Sequence, residues 1–505
     1  MRRGILARLS GAVRQRSKKK SKLAALPVLR RSDWPWTWVA CRFPHRDGIT
    51  LINSVTLAPG RGAAEPDGVF GHPKGLYYLA FTEAWERFSY FGMVSLIVLY
   101  MVDQLLLPGH AERVAALSGL RTALESFQGP LSSQAFASQI YGLYTGLVYF
   151  TPILGGAIGD RWTGQRTSVV IGALLMAAGH IAMAFDLTFL LALLLLIVGS
   201  GFLKGNIAAQ VGALYPAADE TRRARGYMIF MAGISAGALV GPLLCGLLAE
   251  LYGWHYGFGV AALFMLLGLA TYLYGYRYLP KKVARIEQRA RLTSREWGAV
   301  RALMVVIAIS TFQSVTFYQM YDAMVIWIQQ YVAPRVWGFR MPVPWYQAIS
   351  SLGSILGVPL LFWIWRLQAA RRHEPHDLEK IGTGAWLSAA SALVLVAAIF
   401  VSPGRPINPI WPFISVLGLG VGWLYQWPIL FALVSQAAPT NLKASLIGVA
   451  YLSLFVSAIL VGWIGGFYER MNPAAFWALH ALIAAAGGLL VGLFGRRLGR
   501  ALQPV

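Results

Sequence analysis

The chain has 505 residues, of which 57% are hydrophobic and 13% charged, and its formal net charge is +23. Soluble domains carry about a quarter charged residues, so this composition excludes an ordinary soluble protein and indicates an integral membrane protein. The charge does not indicate nucleic-acid binding, because the basic residues concentrate in the first 50 positions and between apolar runs. The two cysteines, Cys41 and Cys245, are far apart and exclude a disulfide framework.

The first segment, residues 1–75, is a basic N-terminal extension with no acidic residue before Asp33. No apolar core long enough for a signal peptide follows its basic start. We expect a disordered tail that contacts anionic membrane lipid. Two alternatives stay open: a transit peptide, and a translation start near NSVTLAPGRG that would leave the tail outside the protein.

Twelve apolar runs follow, each of about the 20 residues that a helix needs to cross the hydrocarbon core. They lie at 76–102, 140–160, 167–186, 189–213, 226–249, 256–279, 301–332, 345–366, 382–401, 409–435, 444–466 and 474–496. The pattern predicts an all-α integral membrane protein with twelve transmembrane helices in two six-helix halves, as in transporters built from repeated halves. The halves are residues 76–279 and 301–496, with a cytoplasmic linker at 280–300 and a tail at 497–505.

Loop charges predict the orientation in the membrane. The segments GDRWTGQR, DETRRARG and RLQAARRHEPHDLEK, the linker and the terminal RRLGR are basic and fall on one side. The intervening loops FDLTF and AELYGWHYG contain no Lys or Arg. The positive-inside rule therefore places both termini in the cytoplasm of a multi-pass cell-membrane protein, most simply in a bacterial inner membrane.

Five charged residues inside the runs are candidate functional groups, because each costs about 2.5–3.5 kcal/mol in the membrane. Glu83, Glu86 and Arg87 stand at i, i+3 and i+4, so they share one helix face and Glu83 can pair with Arg87. Lys204 lies in the fourth run and Asp322 in the seventh. We predict that these residues couple proton movement to transport, with Glu83 or Glu86 as the partner of Lys204. The alternative is that the first cluster and Lys204 snorkel to the membrane surface.

Aromatic residues recur near these charges. Taken singly, membrane Trp and Tyr are usually interface anchors or packing residues. As a group they could line a cavity for an organic solute and present a cation–π wall. The group comprises Tyr90, Phe91, Tyr144, Tyr318, Tyr321, Trp423, Tyr425 and Trp427. Asp322 follows Tyr318 by one helical turn and is expected on the same face.

Other polar residues receive different predictions. Asp160, Arg161 and Arg166 form a loop cluster after the second run, which we expect to latch helix ends between conformers rather than contact substrate. Asp103 is expected to be a solvated cap at the end of the first helix. The histidines are scattered and form no nucleophile–base or metal constellation, so we predict no cofactor and no enzymatic activity.

Several segments resemble the proton-dependent oligopeptide transporter (POT) family of the major facilitator superfamily. EAWERFSYFG (83–92) resembles its ExxERFxYYG signature, with Phe91 in place of the second tyrosine. IYGLYTGLVYFTPILGGAIGDRWTGQR (140–166) and GSGFLKGNIAAQVGALY (199–215) resemble its second and fourth helices, and the likeness covers nearly all of 76–496. The resemblance implies the major facilitator fold and inward, proton-driven symport of di- and tripeptides by alternating access.

The resemblance also assigns roles to individual residues. It implies that Glu83, Glu86 and Arg87 form the coupling motif and that Lys204 is the conserved lysine that interacts with it. The family's pocket tyrosines correspond to Tyr90 and Tyr144. The positions that correspond to the family's other pocket residues complete the predicted substrate-binding set. The set is Tyr90, Phe91, Tyr144, Lys204, Ser235, Tyr318, Ser350, Trp423 and Trp427.

Five positions depart from the family pattern. Val94 stands where an arginine commonly follows the first motif, and Ser235 and Ser350 replace asparagines of the fifth and eighth helices. Tyr318 and Trp423 replace glutamates of the seventh and tenth helices. The groups that typically hold a peptide's amino end are therefore mostly replaced, whereas Lys204 still favours an anionic group on the substrate.

The leading hypothesis is a proton-coupled symporter of di- and tripeptides or a related small organic solute. The alternative is an uncoupled facilitator or exporter of a non-peptide organic anion, which the replaced glutamates motivate. The predicted partners are the substrate, protons and membrane lipid, without nucleic acid, and the transporter is expected to be a monomer.

Overall fold

The computed structural model describes residues 68–216, 219–280, 292–336, 338–371, 375–439 and 442–502. Most of the predicted N-terminal extension (1–67) and most of the predicted linker (281–291) lie outside the described residues.

The described part of the chain is almost entirely helical. Its helices are α1 (Lys74–Tyr100), α2 (Leu117–Gln128), α3 (Ser133–Ile158), α4 (Gln165–Ala182), α5 (Phe189–Ala213), α6 (Glu220–Tyr252), α7 (Trp254–Gly275), α8 (Ser294–Tyr318), α9 (Ala323–Tyr331), α10 (Trp345–Ala370), α11 (Asp377–Val401), α12 (Ile410–Ala437), α13 (Lys443–Gly465) and α14 (Pro473–Leu502). Two short hairpins, β1 (Gly68–Val69) with β2 (His72–Pro73) and β3 (Arg335–Val336) with β4 (Phe339–Arg340), complete it.

Eleven helical segments of the described residues are long and apolar enough to cross a membrane. The third predicted run corresponds to α4, which has 18 residues. At about 1.5 Å per residue α4 is roughly 27 Å long, close to the thickness of the hydrocarbon core. The prediction of an all-α membrane protein is confirmed, with a helix in each of the twelve predicted places.

The membrane helices pack as two sets. In the first set α1 packs against α6 and α7, α4 against α5 and α7, and α3 against α5. In the second set α11 packs against α12 and α14, α8 against α13 and α14, and α10 against α12. The α3–α13 and α6–α10 contacts join the sets, so the interface between them runs through the middle of the protein.

The seventh predicted run is not one continuous helix. Helix α8 ends at Tyr318, a 3₁₀ turn spans Gln319–Tyr321, and α9 begins only at Ala323. Asp322 between them has φ −115° and ψ −108°, outside the helical region. The expectation that Asp322 follows Tyr318 on one helix face is therefore wrong. Such a break is tolerated at membrane depth because it is buried in protein.

Helix α3 begins seven residues before the predicted start at residue 140. Ser132 caps it, because its hydroxyl accepts a hydrogen bond from the Ala135 amide at 3.1 Å. The added turns contain Gln134, Ser138 and Gln139, which are polar but buried. Hydropathy alone misses this segment because each of these three side chains donates a hydrogen bond to the neighbouring helix set.

The two sets meet tightly at the end of the bundle where α1 stops and α3 begins, which we call the closed end. Gln134 Nε2 donates to the Gly465 carbonyl at 3.0 Å, and Gln139 Nε2 donates to the Gly462 carbonyl at 3.2 Å. A Cβ on Gly142 would lie 2.9 Å from Gly462 Cα, so α3 and α13 approach this closely only with glycine.

Further bonds join the sets around the rim of the closed end. Gln329 Nε2 donates to Asp103 Oδ2 at 2.7 Å, and Arg340 Nε lies 2.6 Å from Glu250 Oε1. These four side chains line a cavity of about 360 Å³. Asp103 lies in the π-helical turn Met101–Leu105 that follows α1, near the end of the first membrane helix as expected, and its half-exposed carboxylate also joins this turn to the second set.

Candidate functional site

The acid–base cluster of α1 is buried beside the interface between the two sets. Glu83, Glu86 and Arg87 are 5%, 0% and 8% exposed. Arg87 Nε lies 3.3 Å from Glu83 Oε1 and also donates to Glu86 Oε2. The pairing of Glu83 with Arg87 across one turn is thus present, as the spacing predicts.

This cluster leaves three polar atoms without hydrogen bonds to described residues. They are Glu83 Oε2, Glu86 Oε1 and Arg87 Nη2. Unsatisfied buried atoms of charged groups are costly, and in native proteins they usually mark a site where a proton, water or ligand acts. The cluster can therefore both accept a proton and receive an anion.

Lys204 of α5 lies against aromatic rings and not against a carboxylate. Its Nζ is buried without a hydrogen bond to any described residue. It sits 4.7 Å from the ring centroid of Tyr90 and 5.2 Å from that of Tyr149. The direct ion pair with Glu83 or Glu86 that the sequence suggested is absent in this conformation, because the two ring faces hold the cation instead.

Tyr149 is a site residue that the sequence reasoning missed. Its hydroxyl lies 2.7 Å from the Tyr318 hydroxyl, so the pair joins α3 of the first set to α8 of the second. The predicted Tyr144 is buried on α3 and lies near Glu86. Positions five apart point about 140° apart around a helix, so one sequence cannot tell which tyrosine faces Lys204.

An aromatic wall on the second set continues from the Tyr318 member of this pair; it consists of Phe317, Tyr318, Trp423 and Trp427. The Phe317 and Trp423 rings stack with centroids 4.2 Å apart, and Trp423 and Trp427 stack at 5.5 Å. Tyr318 meets Trp423 edge to face at 5.8 Å. The structure thus brings together three of the five aromatic residues predicted on the second set, and it adds Phe317. Of the other two, Tyr321 lies 6.4 Å from Tyr318, whereas Tyr425 packs edge-on against Trp365 at 5.8 Å.

Three other predicted residues have different surroundings. The Phe91 ring packs edge-on against Tyr90 at 5.1 Å and lies 6.3 Å from Tyr321, so it is close to the site. Ser235 Oγ donates to the Met231 carbonyl of its own helix at 3.2 Å. Ser350 is likewise buried in α10 and donates to its own helix, at the Gln347 carbonyl. The described contacts therefore do not bring these two serines to Lys204.

Asp322 lies at the closed end and not beside the acid–base cluster. It is fully buried, and its carboxylate accepts a hydrogen bond from Ser138 Oγ at 2.7 Å. Gln319 Nε2 donates to its second oxygen at 3.1 Å. Because Ser138 belongs to α3, the charge of Asp322 contributes to the contact between the two sets.

The predicted latch residues do not form ion pairs with one another among the described residues. Asp160 and Arg161 are exposed in the π-helical turn Gly159–Thr163, where Asp160 accepts a bond from Gln165 Nε2 at 3.3 Å. The Arg166 guanidinium lies 4.9 Å from the ring centroid of Tyr276 instead. A latch role for these residues stays a prediction.

Comparison with known proteins agrees with this geometry. The Major Facilitator Superfamily model matches residues 87–462. The peptide transporter YePEPT of Yersinia enterocolitica is 27% identical over 500 residues, covering 84% of this chain and 94% of the relative. A crystal structure of a mutant of the peptide transporter POT with sulfate is 26% identical, with a TM-score of 0.75, covering 88% of this chain and 98% of that chain. The same mutant with alafosfalin is 25% identical, with a TM-score of 0.75, covering 86% and 97%.

The match to the superfamily model begins at Arg87 of α1 and ends in α13, so it covers most of both helix sets but not Glu83, Glu86 or α14. The fold, the buried charges and these relatives together describe a multi-pass membrane transporter and not an enzyme. The chain belongs to the Major Facilitator Superfamily, and its similarities place it with the POT-family peptide transporters.

Proposed function

We propose that this protein is a proton-coupled symporter that takes up small peptides or a related small organic anion by alternating access. The observation that carries the proposal is the buried group of two acids and two bases next to the interface. Its members Glu83, Glu86, Arg87 and Lys204 all keep a polar atom without a hydrogen bond to described residues. Peptide transport by YePEPT and the alafosfalin complex of POT support the substrate class.

The charge balance of these four side chains explains how proton binding is coupled to substrate binding. With all four groups ionised, the two carboxylates of Glu83 and Glu86 balance the cations of Arg87 and Lys204. A proton on either carboxylate leaves one net positive charge, which stabilises an anionic group of the substrate. When the substrate leaves, the carboxylate releases its proton and pairs with Arg87 again. Proton and anion therefore bind together better than either binds alone.

The proposal includes an orientation and an assembly state. The basic loops support cytoplasmic termini in the cell membrane, which would direct the closed end outward and the central site toward the cytoplasm in this conformation. The two halves, 76–279 and 301–496, would rock about the central site as domains. We propose that one chain suffices, because both walls of the site come from a single chain.

Uptake into proteoliposomes tests coupling directly. An acidic exterior should drive accumulation of a peptide or organic anion, and a protonophore should abolish accumulation. Glu86→Gln should abolish the dependence on the pH gradient, because the amide cannot take a proton. Glu125→Gln is the matched control, since Glu125 pairs with Arg121 on α2, outside the membrane helices. If proton-driven uptake is unchanged in Glu86→Gln, the proposed role of Glu86 in proton coupling is wrong.

A second function, uncoupled export or facilitated diffusion of a non-peptide organic anion, rests on one specific observation. Tyr318 and Trp423 occupy the positions of two family glutamates, and their rings are engaged with Phe317 and Tyr149. Flux that is independent of a pH gradient and of Glu86→Gln would favour this function.

A further inference from the structure

One side of the central site is suited to an anion. Lys204 Nζ and Arg87 Nη2 are buried without hydrogen bonds to described residues, and they lie on the first helix set. A desolvated cation without an acceptor is unfavourable, so a carboxylate or similar anion that reaches these atoms is stabilised.

The opposite side is aromatic and uncharged. It is linked to Lys204 through Tyr149, whose ring lies under the lysine and whose hydroxyl bonds Tyr318 at 2.7 Å. Two amide side chains near this wall donate hydrogen bonds within the second set, while their Oε1 atoms are neutral acceptors without hydrogen bonds to described residues. Gln426 Nε2 donates to the Ser310 carbonyl at 2.6 Å, and Gln313 Nε2 donates to the Gly422 carbonyl at 2.9 Å.

The second set has one buried carboxylate among its described residues, that of Asp322. Both of its oxygens already accept hydrogen bonds, from Ser138 and Gln319. It also packs against Gly465 at the closed end and not against the aromatic wall. A substrate ammonium at the wall would therefore find ring faces and neutral amide oxygens but no acid of the second set, because the carboxylates of Glu83 and Glu86 pair with Arg87 on the first set. Such neutral groups compensate the burial of an ion only in part.

We infer that the substrate is an anion whose other end carries no ammonium group, such as an N-acylated amino acid or N-acylated dipeptide. Its carboxylate binds Lys204 and Arg87, and its uncharged end packs on the aromatic wall. This inference rests on the proposed function above, because it names the substrate class of the same site. With one bound proton, the site and this monoanion are together neutral.

Three matched ligands test the inference on the purified full chain by calorimetry and thermal shift. They are N-acetyl-Ala-Phe, free Ala-Phe, and the C-terminal amide of N-acetyl-Ala-Phe. The acetylated acid should bind about tenfold more tightly than the free dipeptide, which must desolvate an ammonium. The amide should not bind measurably, because it lacks the anion.

A negative charge introduced into the aromatic wall should reverse the preference for the acetylated ligand over free Ala-Phe. Trp423→Glu supplies a carboxylate for an ammonium and should shift the ratio of the two dissociation constants toward free Ala-Phe by about tenfold. Trp423→Gln is the control, because it removes the same ring without adding charge and should leave the ratio in favour of the acetylated ligand. If Trp423→Glu does not fold, the affinities of the wild-type protein for the three ligands still test the inference.

The outcomes separate the inference from the function on which it rests. Wild-type binding of free Ala-Phe as tight as that of the acetylated ligand, or no binding of either, overturns the inference. Proton-driven uptake of free Ala-Phe in preference to the acetylated form overturns the inference and supports the proposed symport. Selective binding of the acetylated ligand without proton-driven uptake supports the inference and overturns the symport.

Discussion

The closed end and the central site are two parts of one interface, yet they treat polar groups in opposite ways. At the closed end, the side chains of Gln134, Gln139 and Asp322 all form hydrogen bonds across or beside the interface, and the atom left without one, Gln134 Oε1, is neutral. At the central site, Lys204 and Arg87 keep buried donors without hydrogen bonds to described residues. Hydrogen bonds between the two sets stabilise the conformer in which they form. A buried charged donor without an acceptor instead gains a favourable hydrogen bond only when a ligand binds.

This difference between the closed end and the central site predicts different effects of substitution in the two regions. Changes at the closed end should alter the balance between conformers and leave the chemistry of binding intact. Changes at the central site should alter transport with little loss of folded stability.

Lys204→Ala should lower driven uptake by about a hundredfold or more, since an anion loses its buried cationic partner. Its unfolding temperature should stay equal or rise, because a buried ammonium without a hydrogen bond has been removed. Uptake assays and thermal melts measure both. Lys380→Ala is the control, because Lys380 is also buried and lies 4.6 Å from the Trp365 ring centroid. Intact uptake in Lys204→Ala, or a loss as large in Lys380→Ala, would contradict the assignment.

Gly142→Leu should separate α3 from α13 at the closed end, since even a Cβ meets Gly462 at 2.9 Å. Overpacking of this kind costs about 1–3 kcal/mol and should populate a conformer open at that end. Spin labels on cysteines at the exposed Phe127 and Phe339, without the natural cysteines, would report a longer distance. Gly156→Leu on the same helix is the control, because nothing lies within 4 Å of its Cβ position. An unchanged distance in Gly142→Leu would show that the α3–α13 contact does not hold the two sets together.

Asp322→Asn should weaken the closed end by about 2 kcal/mol, because the hydrogen bonds from Ser138 and Gln319 lose a charged acceptor. In the wild type, acidification should loosen this end, since a protonated carboxyl accepts these two bonds less well. The variant should lose that pH dependence. The same pair of spin labels measures it. A pH response that persists in Asp322→Asn would assign the proton to another group.

Glu250→Gln should have the smallest effect, below about 1 kcal/mol, although it breaks an ion pair with Arg340 across the rim. The Arg340 side chain is 69% exposed, so solvent screens the pair. Uptake should stay within about twofold of wild type and be insensitive to added salt. A loss comparable with that of Gly142→Leu would show that the rim pair controls opening.

Local spacing predicted some of the site well. Glu83 and Arg87 pair because residues four apart on a helix are neighbours in any fold. Apolar length likewise predicted each membrane helix without knowledge of its neighbours. The misses have one cause, which is contact between distant segments. Polar Gln134 and Gln139 extend α3 only because glycine carbonyls of α13 accept their hydrogen bonds.

The sequence by itself determined the membrane class, the helix segments and the acid–base cluster of α1, since each depends on residues within one helix. Tertiary structure alone decided that Lys204 lies on tyrosine rings, that Tyr149 joins the two sets, and that the helix breaks at Asp322. Each of these depends on which helix faces meet, and a one-dimensional pattern contains no information about rotation of one helix against another. The physical reason is that hydrophobic burial in the membrane specifies the spans, whereas close packing and hydrogen bonds between them select their faces.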